Sequence, residues 1–328
     1  MKTESPLVVT SRDREGAVGC LPLPYDQSSL GCTNPSRIAD YVTLTKPRVA
    51  ILVLFTVAAG GILANPASPD LTALMHTLLG TALVAGAASA LNQLFERQSD
   101  ALMRRTENRP LPAGRLQPLE VLMFGLGLGL AGLVYLAVTL RQPLCVLVAA
   151  FTFVSYVFVY TPLKRRTTLN TLVGAVPGAL PPVIGWTAMG GQLNPEIGWL
   201  FALLFLWQVP HFLAIAWIYR DDYARAGMRM LPVVDRSGSM TARQMLCYSL
   251  ALIAVSLTPV LWNQAGVFFA AGAVILGLAF ALSAFGFMRQ ASNATARRVL
   301  HVSLLYLPML LALLLLESVA GPVFALIP

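Results

Sequence analysis

Ionisable side chains are scarce in this chain. Asp, Glu, Lys and Arg make up 12% of its 328 residues, about half their share of a soluble domain. That excludes a water-soluble globular protein and a highly charged disordered one. Cysteine and histidine are scarcer still, at 4 and 3 residues. No Cys-x-x-Cys pair and no Cys/His ligand spacing occurs, so neither a disulfide framework nor a zinc site is expected. Short segments of apolar/polar alternation are also missing, which excludes a transmembrane β-barrel. Residues 1–36 lack the apolar core of a secretory signal peptide. They hold Pro, Ser and Gly instead, the composition of a flexible cytoplasmic tail. The expected division is a tail over 1–37 and a membrane domain over 38–328.

What is abundant is apolar. Hydrophobic residues reach 56% and the mean hydropathy is +0.69. Nine apolar runs are long enough to cross a bilayer: 49–64, 71–95, 119–140, 143–161, 169–189, 198–219, 244–262, 265–288 and 299–320. The expected fold class is all-α, a polytopic membrane bundle of about nine transmembrane helices. The fifth run contains Pro177, Pro181 and Pro182, which predicts a bent or broken helix whose freed backbone groups are satisfied by neighbours. With the N-terminus cytoplasmic and the C-terminus outside, every Lys and Arg except Arg141 falls in an inside segment. A missed or invented span would scramble that positive-inside bias. The net charge of +8 and the pI near 9.6 follow from those inside loops. They read as anchoring to anionic lipid, with no nucleic-acid partner.

The segment from Leu91 to Pro112 carries the chemistry. Asn92, Glu96 and Asp100 stand at four-residue intervals where the second run ends, followed by Arg104, Arg105 and Arg109. Four helical residues rotate about 400°, so the three side chains share one face, each about 6 Å above the last. Acidic groups stacked at the end of a membrane helix are costly unless a cation meets them. Three further features reach the same side of the membrane. They are Lys46-Pro47-Arg48, the run from Tyr160 through Lys164-Arg165-Arg166, and Tyr219-Arg220-Asp221-Asp222-Tyr223. Carboxylates and cations on one face suit a polyphosphate bridged by Mg²⁺.

Taken singly, each feature has a plainer explanation. Lys164 to Arg166 is also a topology signal. Asp221 and Asp222 can simply pair with Arg220 and Arg225. The joint pattern is harder to dismiss. The two acidic clusters end the second and sixth spans, and each leads to a Leu-Pro pair, at Leu111-Pro112 and Leu231-Pro232. This points to two related four-helix halves plus a ninth helix. His211, in Pro210-His211-Phe212, lies inside the sixth span roughly three helical turns from Asp222. An intramembrane histidine is a functional candidate; its plain alternative is a hydrogen bond to a neighbouring helix. His76 and His301 have no such setting and read as structural.

The acidic motifs and the segments around them resemble the UbiA superfamily of membrane prenyltransferases. That family carries N/D-x3-D-x3-D after the second span and a second acidic motif after the sixth. The matching segments are LTKPRV at 44–49, RTENRPLPAG at 105–114, YTPLKRRT at 160–167, WQVPHFLAIAW at 207–217 and DYARAGMRMLPVV at 222–234. The resemblance runs from Ile38 to the C-terminus and is nearest the heme-prenylating branch. It implies a bundle around a central cavity that opens sideways to lipid. It implies farnesyl diphosphate as donor, heme b as acceptor, water as co-reactant, heme O as product and Mg²⁺ as cofactor.

Carried over by position, Asn92, Glu96, Asp100 and Asp222 would hold Mg²⁺ and diphosphate, with Asp221 beside them. Lys164, Arg165, Arg105 and Arg109 would neutralise the diphosphate. Tyr160 would shield the allylic cation, and His211 would ligate or orient heme. The implied setting is the bacterial inner membrane, with membrane lipid and the next heme-modifying enzyme or a terminal oxidase assembly as partners. There are two departures. Glu96 replaces the commoner Asp, and Ile218 stands where the second motif has its first Asp. An aromatic or chlorophyll-type acceptor keeps the enzyme class and remains open, as do a transporter and a non-catalytic assembly factor. Transporters place ionisable residues near the bilayer midplane, whereas these clusters lie at helix ends.

Overall fold

The computed structural model of the chain describes residues 36–320. The expected tail, with Cys20 and Cys32, lies outside the described residues except for Ser36 and Arg37. Among the described residues there is no strand, and nine helices are long and apolar enough to cross a membrane. They are Pro47–Ala64, Leu71–Asp100, Pro118–Leu140, Pro143–Leu163, Asn170–Ala188, Pro195–Ile218, Ser239–Leu261, Val267–Arg289 and Asn293–Ser318, here spans 1 to 9. The chain is an integral multi-pass membrane protein. Leu130, Leu147 and Leu282 remain exposed on the outer faces, as expected where lipid tails are the solvent.

Two apolar cores organise the bundle. One joins spans 5 to 9 around Leu203, Trp207, Phe269, Phe280 and Tyr306. The other joins spans 2, 3 and 4 around Ala87, Leu91, Val121 and Val157. His76 holds spans 2 and 3 together through a 2.6 Å hydrogen bond between its Nδ1 and the Tyr135 hydroxyl, the structural role expected of it. Spans 1 and 5 cross almost backbone to backbone. A Cβ added at Gly60 would lie 2.1 Å from the Pro182 carbonyl oxygen, and one at Gly185 would lie 1.9 Å from that of Val57. Small residues allow this approach, which is how membrane helices gain packing without a hydrophobic drive between them.

Span 5 is broken as its prolines demand. Asn170–Ala179 ends at Leu180, and Pro181–Ala188 resumes with Pro181 at its first position, where no N–H is needed. Three features were not expected. Span 4 contains a π-helical stretch, Ser155–Tyr160. Pro162 is the cause we assign: a proline ring crowds the carbonyl four residues earlier, and widening the turn relieves it. A helix over Arg37–Thr45 precedes span 1, capped by the Ser36 hydroxyl, which accepts from Ala39 N–H. It buries Asp40 and Leu44, one turn apart, against the bundle. The single Nε–H of Arg115 donates a bifurcated hydrogen bond to the two Asp40 carboxylate oxygens, at 2.9 and 3.1 Å. Span 7 begins at Ser239 rather than 244 because Asp235 accepts from the backbone and hydroxyl of Thr241, at 2.8 and 2.9 Å.

Replacing Gly185 with Leu is expected to force spans 1 and 5 apart and to lower stability by about 1–3 kcal/mol, or more where the backbone cannot yield. Thermal unfolding in detergent measures this; an unchanged midpoint would contradict the close crossing.

Candidate active site

Span 2 stays helical through Asp100, so Asn92, Glu96 and Asp100 do line one face. All three are buried, and buried charges require partners. Each partner comes from a different segment. Lys164, just beyond span 4, places its Nζ 2.7 Å from Glu96 Oε1. Arg109 folds back from the loop after span 2 and places Nη1 2.7 Å from Asp100 Oδ2. The fold-back is fixed by the Thr106 hydroxyl, which donates to the Asp100 carbonyl at 2.9 Å. Lys46 Nζ lies 3.5 Å from Asn92 Oδ1. Asn92 Nδ2 donates to Thr161 Oγ1 at 3.1 Å.

Lys46 has φ 49° and ψ 60°, the left-handed region that costs a side chain about 1–3 kcal/mol and persists only where surroundings dictate it. It joins the helix Arg37–Thr45 to span 1 and aims its ammonium inward. Burial pushes its pKa down to about 8, the nearby Arg109 adding and Glu96 opposing. Burial also disfavours the Lys164 ammonium, but Glu96 outweighs it and holds Lys164 well above the usual lysine range. Lys164 also lies over the Tyr160 ring, 4.6 Å from its centroid.

The second acidic segment packs against the first. Met103, after span 2, shares an apolar cluster with Ala216 of span 6 and with Ala226, Met228 and Met230. Arg105 stacks over the Tyr219 ring at 4.8 Å. Arg229 N–H donates to the Lys164 carbonyl at 2.8 Å, and Asn170 Nδ2 donates to the Arg229 carbonyl at 3.0 Å. The loops after spans 2, 4 and 6 therefore meet at one end of the bundle. Arg165 Nε donates to Ser99 Oγ at 3.1 Å. Asp222 pairs with Arg225 on its own short helix, and Asp221 is exposed. Neither lines the cavity beside Glu96.

That cavity, about 300 Å³, is lined by Phe95, Glu96, Thr161, Lys164, Arg165 and Met228. Phe95 and Phe158, both half-exposed with rings edge-to-face at 5.9 Å, stand at its lipid side between spans 2 and 4. A second cavity of about 160 Å³ lies among spans 1, 2, 4 and 5, lined by Val53, Ser89, Phe153, Tyr156, Gly178 and Ile184. It begins one helical turn below Asn92, at Ser89, so an apolar chamber lies directly under a charged rim. His211 belongs to neither cavity. Its Nδ1 lies 2.7 Å from Ser303 Oγ on span 9, and its ring stacks on Trp207 at 4.9 Å.

The residues fit a hard divalent cation. Asn92, Glu96 and Asp100 offer only oxygen donors on this face, and Asp100 Oδ1 is buried with no hydrogen-bond partner among the described residues. No three carboxylate, imidazole or thiolate groups converge among those residues. Mg²⁺ suits such a site, since it binds through one or two carboxylates plus substrate phosphates rather than an all-protein cage.

The sequence profile described as the UbiA prenyltransferase family matches residues 53–326. The chain belongs to the UbiA prenyltransferase family. It is 47% identical over 287 residues to "Protoheme IX farnesyltransferase" of Solibacter usitatus (strain Ellin6076), covering 85% of this chain and 98% of that relative. It is 45% identical over 289 residues to the protein of the same name from Myxococcus xanthus (strain DK1622), covering 87% and 96%. Among solved structures, one described as a UbiA homolog from Archaeoglobus fulgidus bound to GPP and Mg²⁺ aligns with TM-score 0.57 at 16% identity, covering 86% of this chain and 99% of that one. A structure of digeranylgeranylglyceryl phosphate synthase aligns with TM-score 0.73 at 14% identity, covering 87% and 99%. These likenesses show the UbiA fold, and the family membership makes the chain a prenyltransferase enzyme.

Lys46 was expected among the cations on the side of the acidic ladder, though without a role of its own. Thr161 and Tyr156 were not among the expected site residues, and nothing in the local pattern announced a π turn. Inorganic pyrophosphate should bind this UbiA site more weakly as pH rises through about 8, because Lys46 loses its proton there. The expected loss is roughly tenfold across that interval, the scale of one charge-assisted hydrogen bond. Calorimetry reads the profile, and Lys46→Arg should flatten it.

Proposed function

We propose that this chain transfers a farnesyl group from farnesyl diphosphate to a vinyl group of heme b, with addition of water, releasing heme O and diphosphate. The two relatives' shared name and their coverage of nearly the whole membrane domain support this reading. The observation that carries it is the charged rim above an apolar chamber, where the face of Asn92, Glu96 and Asp100 meets Lys46, Lys164 and Arg109. The diphosphate would sit at the rim and the prenyl chain among spans 1, 2, 4 and 5.

Asn92, Glu96 and Asp100 would hold Mg²⁺, which when bound would supply positive charge to the diphosphate oxygens. The chain's own cations do the rest. As the C1–O bond breaks, negative charge grows on the leaving oxygen, and Lys164 and Arg109 would stabilise it. Arg105 and Arg165 add positive charge at the outer edge. The Tyr160 face, which meets the Lys164 ammonium in this structure, suits the allylic cation. The heme vinyl group attacks farnesyl C1, water captures the cation formed on the porphyrin side, and its proton leaves. The surrounding spans keep bulk water from reaching the allylic cation first.

For Asp221 and Asp222 we propose contact with a second metal or the outer face of the diphosphate, which would require Asp222 to leave the Arg225 partner it has in this structure. For His211 we propose a heme-binding part: Ser303 Oγ lies 2.7 Å from its Nδ1, and an orienting partner on one ring nitrogen leaves the other to ligate iron. The charge distribution over the loops favours this rim as cytoplasmic, with the N-terminus inside, the C-terminus outside and a bacterial inner membrane as the setting. Two related four-helix halves and a ninth helix describe the topology.

Purified protein given heme b, farnesyl diphosphate and Mg²⁺ is expected to form a product of heme O mass. Asp100→Ala should abolish that product while the protein still inserts and melts cooperatively; turnover by this variant would remove the metal role. His211→Ala should weaken heme binding, read by absorbance titration, more than pyrophosphate binding. Equal losses would return His211 to a purely structural part.

A further inference from the structure

We infer that Thr161 is a positioning residue that sets which end of the Asn92 amide faces the diphosphate site. This rests on the proposed reading of that site. An asparagine amide has nearly equal shape in its two flipped orientations but opposite chemistry, an acceptor oxygen on one side and two donor N–H groups on the other. Only the oxygen can meet a metal ion. Asn92 is 1% exposed and Thr161 4%, so the choice falls to protein partners rather than to water.

The Thr161 hydroxyl makes that choice. It has one hydrogen, which it donates to the Tyr156 carbonyl at 2.9 Å. Towards Asn92, 3.1 Å away, it can therefore only accept. The amide nitrogen must point at Thr161, and Oδ1 must point the other way, where Lys46 Nζ lies 3.5 Å off. A flipped amide would set two acceptors against each other on one side and two donors on the other. The π-helical stretch matters here because it brings the Tyr156 carbonyl, five residues back, within reach of Thr161 N–H and hydroxyl together. The unexpected π turn and the acidic ladder are thus linked through one hydroxyl.

The test is Mn²⁺ binding to the full-length protein in the presence of inorganic pyrophosphate, followed by electron paramagnetic resonance. Thr161→Val keeps the shape but removes the acceptor, and should weaken Mn²⁺ by at least about tenfold, the usual cost of losing an orienting partner. Thr161→Ser should restore affinity to within about twofold of the parent. Asn92→Asp has an oxygen at both ends and no orientation to set, so Thr161→Val added to it should cost nothing further. Thr161→Ala serves in the same cycle if the valine variant does not fold. Undiminished affinity in Thr161→Val, or the same loss in the Asn92→Asp background, would overturn the inference and leave Thr161 a packing residue. Failure of the parent protein itself to bind Mn²⁺ with pyrophosphate would instead overturn the site, and this inference with it.

Discussion

Two carboxylates buried at the end of a membrane helix dictate the architecture of this rim. Glu96 and Asp100 cannot stay charged there alone, since the local dielectric multiplies the penalty of an unpaired ion. Lys164 and Arg109 answer them at 2.7 Å each. Those cations come from loops that must therefore fold inward over the end of span 2. With them come Thr106, Arg105 and the apolar cluster of Met103, Met228 and Met230. The left-handed backbone at Lys46 belongs to the same demand. What looks like a set of separate surface loops is a single electrostatic settlement.

Much of this was legible in the sequence, for identifiable reasons. Apolar runs about as long as a bilayer is thick leave little freedom, so the nine spans, and a bend or break in the fifth, could be read from composition; that Pro181 rather than Pro177 marks the break came from the structure. The four-residue ladder survived because span 2 remains helical to Asp100. The π turn at Ser155–Tyr160 was not legible. Its cause, Pro162, is visible, but a proline near a helix end can as easily end the helix as widen it. The helix Arg37–Thr45 was hidden by its polarity, since only Asp40 and Leu44 are buried and Asp40 needs the distant Arg115. The plainer explanation of Asp222 as a partner of Arg225 is what the structure holds. His211 likewise makes the hydrogen bond to a neighbouring helix that was its plainer alternative.

The charges of the free rim also bear on how it meets its substrate. Lys46, Lys164 and Arg109 stand among Glu96 and Asp100, an excess of one positive charge among these five groups while Lys46 is protonated, and Arg165 in the same cavity lining adds to it. A prenyl diphosphate carries about three negative charges near neutral pH, since its phosphates are close to fully ionised. On the proposed reading, the rim's surplus together with Mg²⁺ would offset that load. The apolar chamber directly below makes such cancellation necessary, because uncompensated charge beside hydrocarbon is costly. With Lys46 neutral the surplus falls by one charge, so a lysine whose pKa is lowered to about 8 makes the charge of the rim depend on pH. On the proposed reading, each cation would exchange its carboxylate for a phosphate oxygen of similar strength as diphosphate enters. In this structure the two ion pairs compensate Glu96 and Asp100, which lets both carboxylates stay charged at the end of a membrane helix.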